Sequence, residues 1–254
     1  MNIGVIAALA RHPVKSMAGE ALERAFLGFS GVYGDRIYGF RSATAPAGFP
    51  FLTARDRPEM LLMRPRFRHP ELAVAPPDLA AAEGLGPGIT PLYPAGDGLA
   101  VDVDLPDGTT LPIDAPALGA RFGDVTLMRS DRSLTDCRPV SLIARGTIAA
   151  IGTACGLRLD PRRFRANLLL ELDDATGFAE NALIGRRMRA GAKAELMILE
   201  RDPRCRMITL NPDTAEASPD VLRVLARGQG GYAGVYAAVL VEGMVSAGDP
   251  LVLI

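Results

Sequence analysis

The stretch "ERDPRCRMITLNPDT", residues 200 to 214, sets Cys205 beside Asp202, Arg204 and Arg206 at the mouth of an apolar run. A cysteine needed only for packing sits more comfortably among aliphatic neighbours. The basic flanks here suggest a thiolate, the form that acts as nucleophile and metal ligand. On these residues alone Cys205 could be a nucleophile, a persulfide carrier, a ligand to a soft or high-valent metal, or an inert buried thiol. In a continuous strand Arg204 and Arg206 face away from Cys205, so their charges reach it only if the chain turns, and Pro203 makes a turn credible.

Three further clusters carry polar chemistry. "RHPVKSMAGE" (11–20) puts an ammonium, Lys15, and a hydroxyl, Ser16, on exposed backbone after a proline, the parts of a phosphate site. "GVYGDRIYGF" (31–40) holds Asp35 and Arg36, which read as an ordinary surface ion pair. "DPRRFRANLLLEL" (160–172) places Arg162, Arg163 and Arg165 before an apolar run, with Asn167 as a neutral hydrogen-bonder. Arginine suits bidentate contact with phosphate or a fused heterocycle.

Composition narrows the classes. The 254 residues are 48% apolar, ample for one large or two small cores, and the formal net charge of −1 gives no electrostatic support for nucleic-acid or anionic-membrane binding. The N-terminus lacks a basic region and cleavage site of the secretory kind, and no apolar run approaches a membrane span. A soluble, cytoplasmic protein is expected. Cys137, Cys155 and Cys205 form neither an even framework nor a C-x-x-C pair, which points to a reducing compartment, and two histidines are too few for a His-rich zinc site. Only Lys15 and Lys193 could form a Schiff base. Lys15 is better suited to phosphate and Lys193 sits in "GAKAE", so pyridoxal phosphate is rejected.

These residues must be held by β-structure. Short β-like runs recur about every ten residues: "IGVIAAL", "DRIYGFRSA", "MLLMRP", "ELAVA", "GLAVDVDL", "DVTLMRS", "NLLLEL", "AELMIL", "RMITL", "GVYAAVLVEG" and "PLVLI". That spacing favours antiparallel barrels or sandwiches over β-α units, and no G-x-G-x-x-G follows a strand. In "LAVDVDLPDGTTLPI" Val101, Val103 and Leu105 alternate with Asp102 and Asp104 before a Pro-Asp-Gly turn, a half-exposed hairpin. Helices are expected over 144–156, with Ile148, Ile151, Ala154 and Cys155 on one face and Gly156 as the stop, and over 218–228, with Ser218 as N-cap. The Ala-, Gly- and Pro-rich stretch 76–98 reads as a loop with a short helix. A domain boundary is placed near residue 115.

"HPVKS", "GDR", "FLTARDRPEM", "RFRANLLLE" and "CRMITLNPDT" occur in that order along essentially the whole chain. Together they resemble the MOSC-domain proteins with an N-terminal MOSC β-barrel domain, the amidoxime-reducing component-like family. The resemblance implies a mainly β fold with a few helices: an N-terminal β-barrel-like domain over 1–115 and a C-terminal MOSC β-barrel over 116–254. It also implies a pyranopterin cofactor carrying molybdenum, or tungsten, with Cys205 as the protein's metal ligand. Lys15, Ser16 and Arg36 match the family's cofactor contacts, "RFRAN" makes Arg165 and Asn167 counterparts of its "FRPN", and Arg204 keeps the basic residue of its C-x-R-C motif.

Two departures stand out. Asp202 occupies the place of the motif's first cysteine, and "TDCRPV" (135–140) answers the family's "SDTSPF", keeping Asp136 but placing Cys137 and Arg138 where hydroxyls are common. Asp136 is expected as an acid near the metal, and Cys137 as a space-filler, a persulfide partner or a second soft atom. The implied function is a molybdenum-dependent oxidoreductase acting on N-hydroxylated or related N–O or S–O small molecules. Its electrons would come from a separate ferredoxin- or cytochrome-like donor, since no ferredoxin-like cysteine set follows. The alternatives are a persulfide carrier working through Cys205 and a module that stores or delivers the cofactor.

Overall fold

The structure is a computed structural model that describes residues 1–46, 48–77, 79 and 97–254. It is mostly β, with three α-helices among the described residues. Chain contacts divide it into two compact units. The barrel unit comprises Met1–Arg11, Gly19–Val32 and Asp136–Ile254, and the small-sheet unit comprises His12–Ala18 and Tyr33–Thr135. The chain thus passes between units at several points rather than once near residue 115. The reason is that its first strand is a stave of the barrel built by the C-terminal strands.

In chain order the strands are β1 (Asn2–Arg11), β2 (Glu20–Leu22), β3 (Arg24–Gly28), β4 (Gly31–Val32), β5 (Tyr38–Ser42), β6 (Arg64–Phe67), β7 (Val101–Asp104), β8 (Thr110–Pro112) and β9 (Val125–Arg129). They continue as β10 (Val140–Ala144), β11 (Leu168–Leu172), β12 (Arg187–Ala190), β13 (Ala194–Pro203), β14 (Tyr232–Val241), β15 (Gly243–Ser246) and β16 (Pro250–Leu253). The helices are α1 (Pro116–Ala120), α2 (Arg145–Cys155) and α3 (Asp220–Gln229).

Seven strands close the barrel in the order β11-β10-β14-β13-β12-β16-β1, with β1 returning to β11. Only the β10–β11 pair is parallel. Closure removes the free edges that an open sheet leaves to aggregation. Leu142, Leu168, Leu170, Leu196, Ile198, Val235 and Leu251 fill its interior. Strand β1 slips register against β11 between Ile6 and Ala8, a bulge that bends it across the seam. Gly4, opposite Leu172, has φ +144°, and a Cβ there would meet the Glu171 carbonyl oxygen at 2.1 Å. Glycine is therefore a condition of closure.

A second apolar cluster packs α2 and α3 onto the barrel's outer face through Ile143, Ile148, Ile151, Phe164, Ile208, Val221 and Leu225. Helix α2 matches expectation: Gly156 ends it at φ 67° and Cys155 packs, half-buried, against the cluster, but Ala154 is exposed. Helix α3 starts two residues after Ser218, with Pro219 as its N-cap, and ends at Gly230 rather than Gly228. Among the described residues no helix is long and apolar enough to cross a membrane.

In the small-sheet unit β5 pairs with β9, and β6-β7-β8 form a three-stranded sheet. The expected hairpin is β7–β8, its valines buried and its aspartates turned toward Arg66 and Arg68. Of the "MLLMRP" run, Met60–Leu62 end a 3-10 turn and the strand begins only at Arg64, while "ELAVA" is turn, not strand. Most of 76–98 lies outside the described residues.

Candidate functional site

Strand β13 ends at Pro203, and the "RMITL" run expected as a strand is instead a 3-10 turn, Arg206–Thr209, with Cys205 as its N-cap. Proline cannot extend the ladder, so the chain leaves the barrel there. The Cys205 thiol is free and exposed, on extended backbone (φ −106°, ψ −177°) at the mouth of the turn. It is not enclosed in apolar packing.

The arginine beside it points elsewhere. Arg204 donates from Nε to the Ala233 carbonyl (2.6 Å) and from Nη1 to the Phe164 carbonyl (2.8 Å), and its Nη2 lies 2.8 Å from the buried Asp202 carboxylate. Asp202 also accepts from Ser141 Oγ at 2.6 Å and from the phenol of Tyr236. Burial first, then the Asp202 charge, push the Tyr236 phenol well above the ordinary tyrosine pKa, with Arg204 acting the other way. The aspartate that stands in place of a cysteine is thus the counter-ion of Arg204. A close approach is needed here as well, since a Cβ on Gly234 (φ +77°) would meet the Leu142 carbonyl at 2.4 Å and Arg204 Nη2 at 3.0 Å.

The remaining barrel-unit candidates divide. Asn167 is 1% exposed, its Oδ1 accepting from the Ser141 amide (3.2 Å) and its Nδ2 donating to the Ala10 carbonyl (3.4 Å), so its side chain ties β1, β10 and β11 together. Arg165 is half-buried at φ 51°, ending the 3-10 turn Pro161–Phe164. Asp136 is exposed, near enough to Tyr236 for its charge to act on the phenol. Cys137 is exposed, its Sγ 3.9 Å from Glu200 Oε1, which Arg138 Nε also contacts at 2.6 Å. It fills no core space.

In the small-sheet unit, Lys15 and Asp35 are buried. Lys15 Nζ donates to the Leu134 carbonyl (2.8 Å) and lies 4.6 Å from the centroid of the Phe51 ring and 5.3 Å from that of Phe49. Asp35, 1% exposed, accepts from the His12 amide at 2.7 Å and pairs with Arg36. Burial works against its ionised form, but Arg36 and His12 more than offset that and hold its carboxyl far below the usual range. The reading of Asp35–Arg36 as a surface pair is corrected: Asp35 is an interior anion that fixes Arg36. Ser16, Arg36 and Arg165 supply three of the six non-glycine residues at positive φ among the described residues. Backbone strain of that kind collects where side-chain direction matters more than local stability.

The MOSC domain model matches residues 129–252 and the MOSC N-terminal β-barrel domain model matches residues 3–85. The chain belongs to the MOSC-domain family. The family takes its name from the C-terminal domain of molybdenum cofactor sulfurases, which associates it with the molybdenum cofactor. No curated protein matches the chain. Among solved structures, the YuaD protein of Bacillus subtilis is similar at 15% identity over 99% of this chain and 94% of its own, with a TM-score of 0.49. YiiM of Geobacillus stearothermophilus is 21% identical over 46% of this chain and 54% of its own, with a TM-score of 0.37.

In this MOSC protein the sequence singled out Cys205 and the cation-bearing turns but missed His12, Ser141 and Tyr236. His12 carries a local signal, the proline after it in "RHPVKS". Ser141 and Tyr236 carry none, because they meet Asp202 only through the β10–β14–β13 pairing.

Proposed function

We propose that this MOSC protein binds a pyranopterin molybdenum cofactor through the Cys205 thiolate and reduces small molecules with N–O or S–O bonds, taking electrons from a separate donor protein. One observation carries the reading: the free, exposed thiol of Cys205 stands just beyond the end of a barrel strand. Among the described residues no group of three or more His, Cys, Asp or Glu side chains could hold a metal ion. A metal at Cys205 must therefore bring most of its ligands with it, as a dithiolene cofactor does. The donor set fits that group.

When bound, the cofactor supplies two-electron redox chemistry and oxygen-atom transfer. The chain's own residues bind and orient it. Cys205 offers the soft anionic sulfur, and Arg165 offers a guanidinium on a strained turn. Lys15, Ser16 and Arg36 are proposed as contacts to the anionic groups of the cofactor, and Asp136 as an exposed carboxyl able to hold a proton. Arg204 and Asn167 act indirectly, by fixing the strand ends from which Cys205 and Arg165 depart.

The test is elemental analysis, with fluorescence of the oxidised pterin measured on the same preparation. Near-stoichiometric molybdenum or tungsten in the wild type and its loss in Cys205→Ser are expected. Full metal retention in that variant overturns the assignment. The exposure of the same thiol also suits a persulfide carrier, and intact mass separates the two: a carrier shows a reducible gain of one sulfur atom without pterin.

A further inference from the structure

The arginines of "DPRRFR" have a use that neither composition nor motif reveals. Two 3-10 turns lie side by side in the barrel unit, Pro161–Phe164 and Arg206–Thr209, the latter beginning at Cys205. A 3-10 turn has poor hydrogen-bond geometry and holds its shape only with outside support. Within the thiol-bearing turn the bonds are Ile208 N to the Cys205 carbonyl (3.3 Å), Leu210 N to the Met207 carbonyl (3.1 Å) and Thr209 Oγ1 to the Arg206 carbonyl (2.7 Å).

Outside support comes from the Ser218 amide, which donates to the Thr209 carbonyl at 2.8 Å, and from the other turn. Arg163, 8% exposed, donates from Nη1 to the Thr209 carbonyl at 2.7 Å, gripping the last residue of the thiol-bearing turn. In return, Arg204 donates to the Phe164 carbonyl at 2.8 Å, and Phe164 and Ile208 share one apolar cluster. Arg162 adds a bidentate contact to Asp213 (2.9 and 2.5 Å), but both side chains are exposed, so water and salt weaken it. Arg163 is the buried member. A charged donor on a carbonyl in that setting is stronger than a neutral one and is screened far less than a surface pair.

We infer that Arg163 is a positioning residue: it locks the Cys205 turn to the turn that ends in Arg165, so that thiolate and guanidinium depart from one rigid piece. The inference rests on reading Cys205 as the metal ligand. Its consequence is that Arg163 governs metal retention through the turn it holds.

The test uses the full chain with Arg163→Met, which keeps an apolar stem and removes the donor, Arg163→Lys, which restores one charged donor, and Thr147→Val as a control. The control removes a buried hydrogen bond from the Thr147 hydroxyl to Glu180 (2.6 Å) in the same unit. In the metal-free protein, hydrogen exchange at the Ile208 and Leu210 amides should quicken about tenfold in Arg163→Met and not in the control. In the loaded protein, molybdenum affinity should fall about 10- to 100-fold in Arg163→Met, recover in Arg163→Lys and hold in Thr147→Val at a comparable loss of Tm. Unchanged exchange, or faster exchange with full metal retention, overturns the positioning role. A wild-type chain that takes up no molybdenum overturns the reading of Cys205 instead, and the exchange result then decides by itself whether Arg163 orders the turn.

Discussion

In the barrel unit, strand interiors carry leucine, isoleucine and valine, and the buried charges keep to the strand ends and the turns after them: Arg11 and Asp202 lie in the last two residues of β1 and β13, and Arg163 and Arg204 donate to backbone carbonyls beyond the strands. In the small-sheet unit the sheets are short, and the charges go inside: Asp35 holds Arg36 and the His12 amide, and Lys15 lies against two phenylalanine rings. A closed barrel satisfies its backbone within the ladder and leaves its arginines to tie down the turns that follow. A unit with little ladder depends on buried ion pairs to fix its loops, and such pairs are costly to break from one side.

That contrast can be broken most sharply at Asp35. Asp35→Leu leaves Arg36 without its buried counter-ion and should cost about 3–5 kcal/mol in urea unfolding. A loss under about 1 kcal/mol would show that the small-sheet unit does not rest on this pair. Gly4→Ala is the barrel's counterpart. Its strained φ and collision with a backbone oxygen should cost about 3 kcal/mol and open the β1–β11 seam to hydrogen exchange while β13 and β14 stay protected.

The pH profile separates the units next. Asp35 binds its proton less tightly folded than unfolded, so its stabilisation is complete above the ordinary carboxylate pKa and is lost as pH falls. Tyr236 binds its proton more tightly folded than unfolded, so its stabilisation is complete below the ordinary tyrosine pKa of 10.0 and is lost as pH rises beyond it. Asp35→Asn should flatten the acid arm of a stability–pH curve and Tyr236→Phe the alkaline arm. Exposed aspartates add only a shallow acid background, among them Asp104, which Arg66 and Thr110 hold at about 2. The smallest effect belongs to the surface ladder, where Arg66→Ala should leave the urea midpoint nearly unchanged and added salt should erase what difference there is.

Much of this was legible in the chain. Alternation in "LAVDVDL" and the aliphatic runs gave the strands, because a half-buried strand has a period of two that packing enforces. Helix α2 was readable through Gly156. "RMITL" misled, since a β-branched apolar run looks alike in a buried strand and in a turn whose apolar residues, Ile208 and Leu210, are buried. Asp35–Arg36 misled for a related reason: adjacent opposite charges are usually at the surface, and only His12 and the surrounding packing reveal a buried anion.

The sequence by itself determined the chemistry on offer: one cysteine two residues past a proline, two cation-bearing segments, a mainly β chain and the motifs of the MOSC family. Residue types and local spacing are written in the chain. Tertiary structure alone decided what each arginine holds. Arg163, Arg165 and Arg204 look alike in sequence, yet Arg163 holds the Thr209 carbonyl, Arg204 is fixed by Phe164, Ala233 and Asp202, and Arg165 ends a strained turn. A guanidinium's role depends on where its five donors point, and all of those partners except Asp202 lie tens of residues away along the chain.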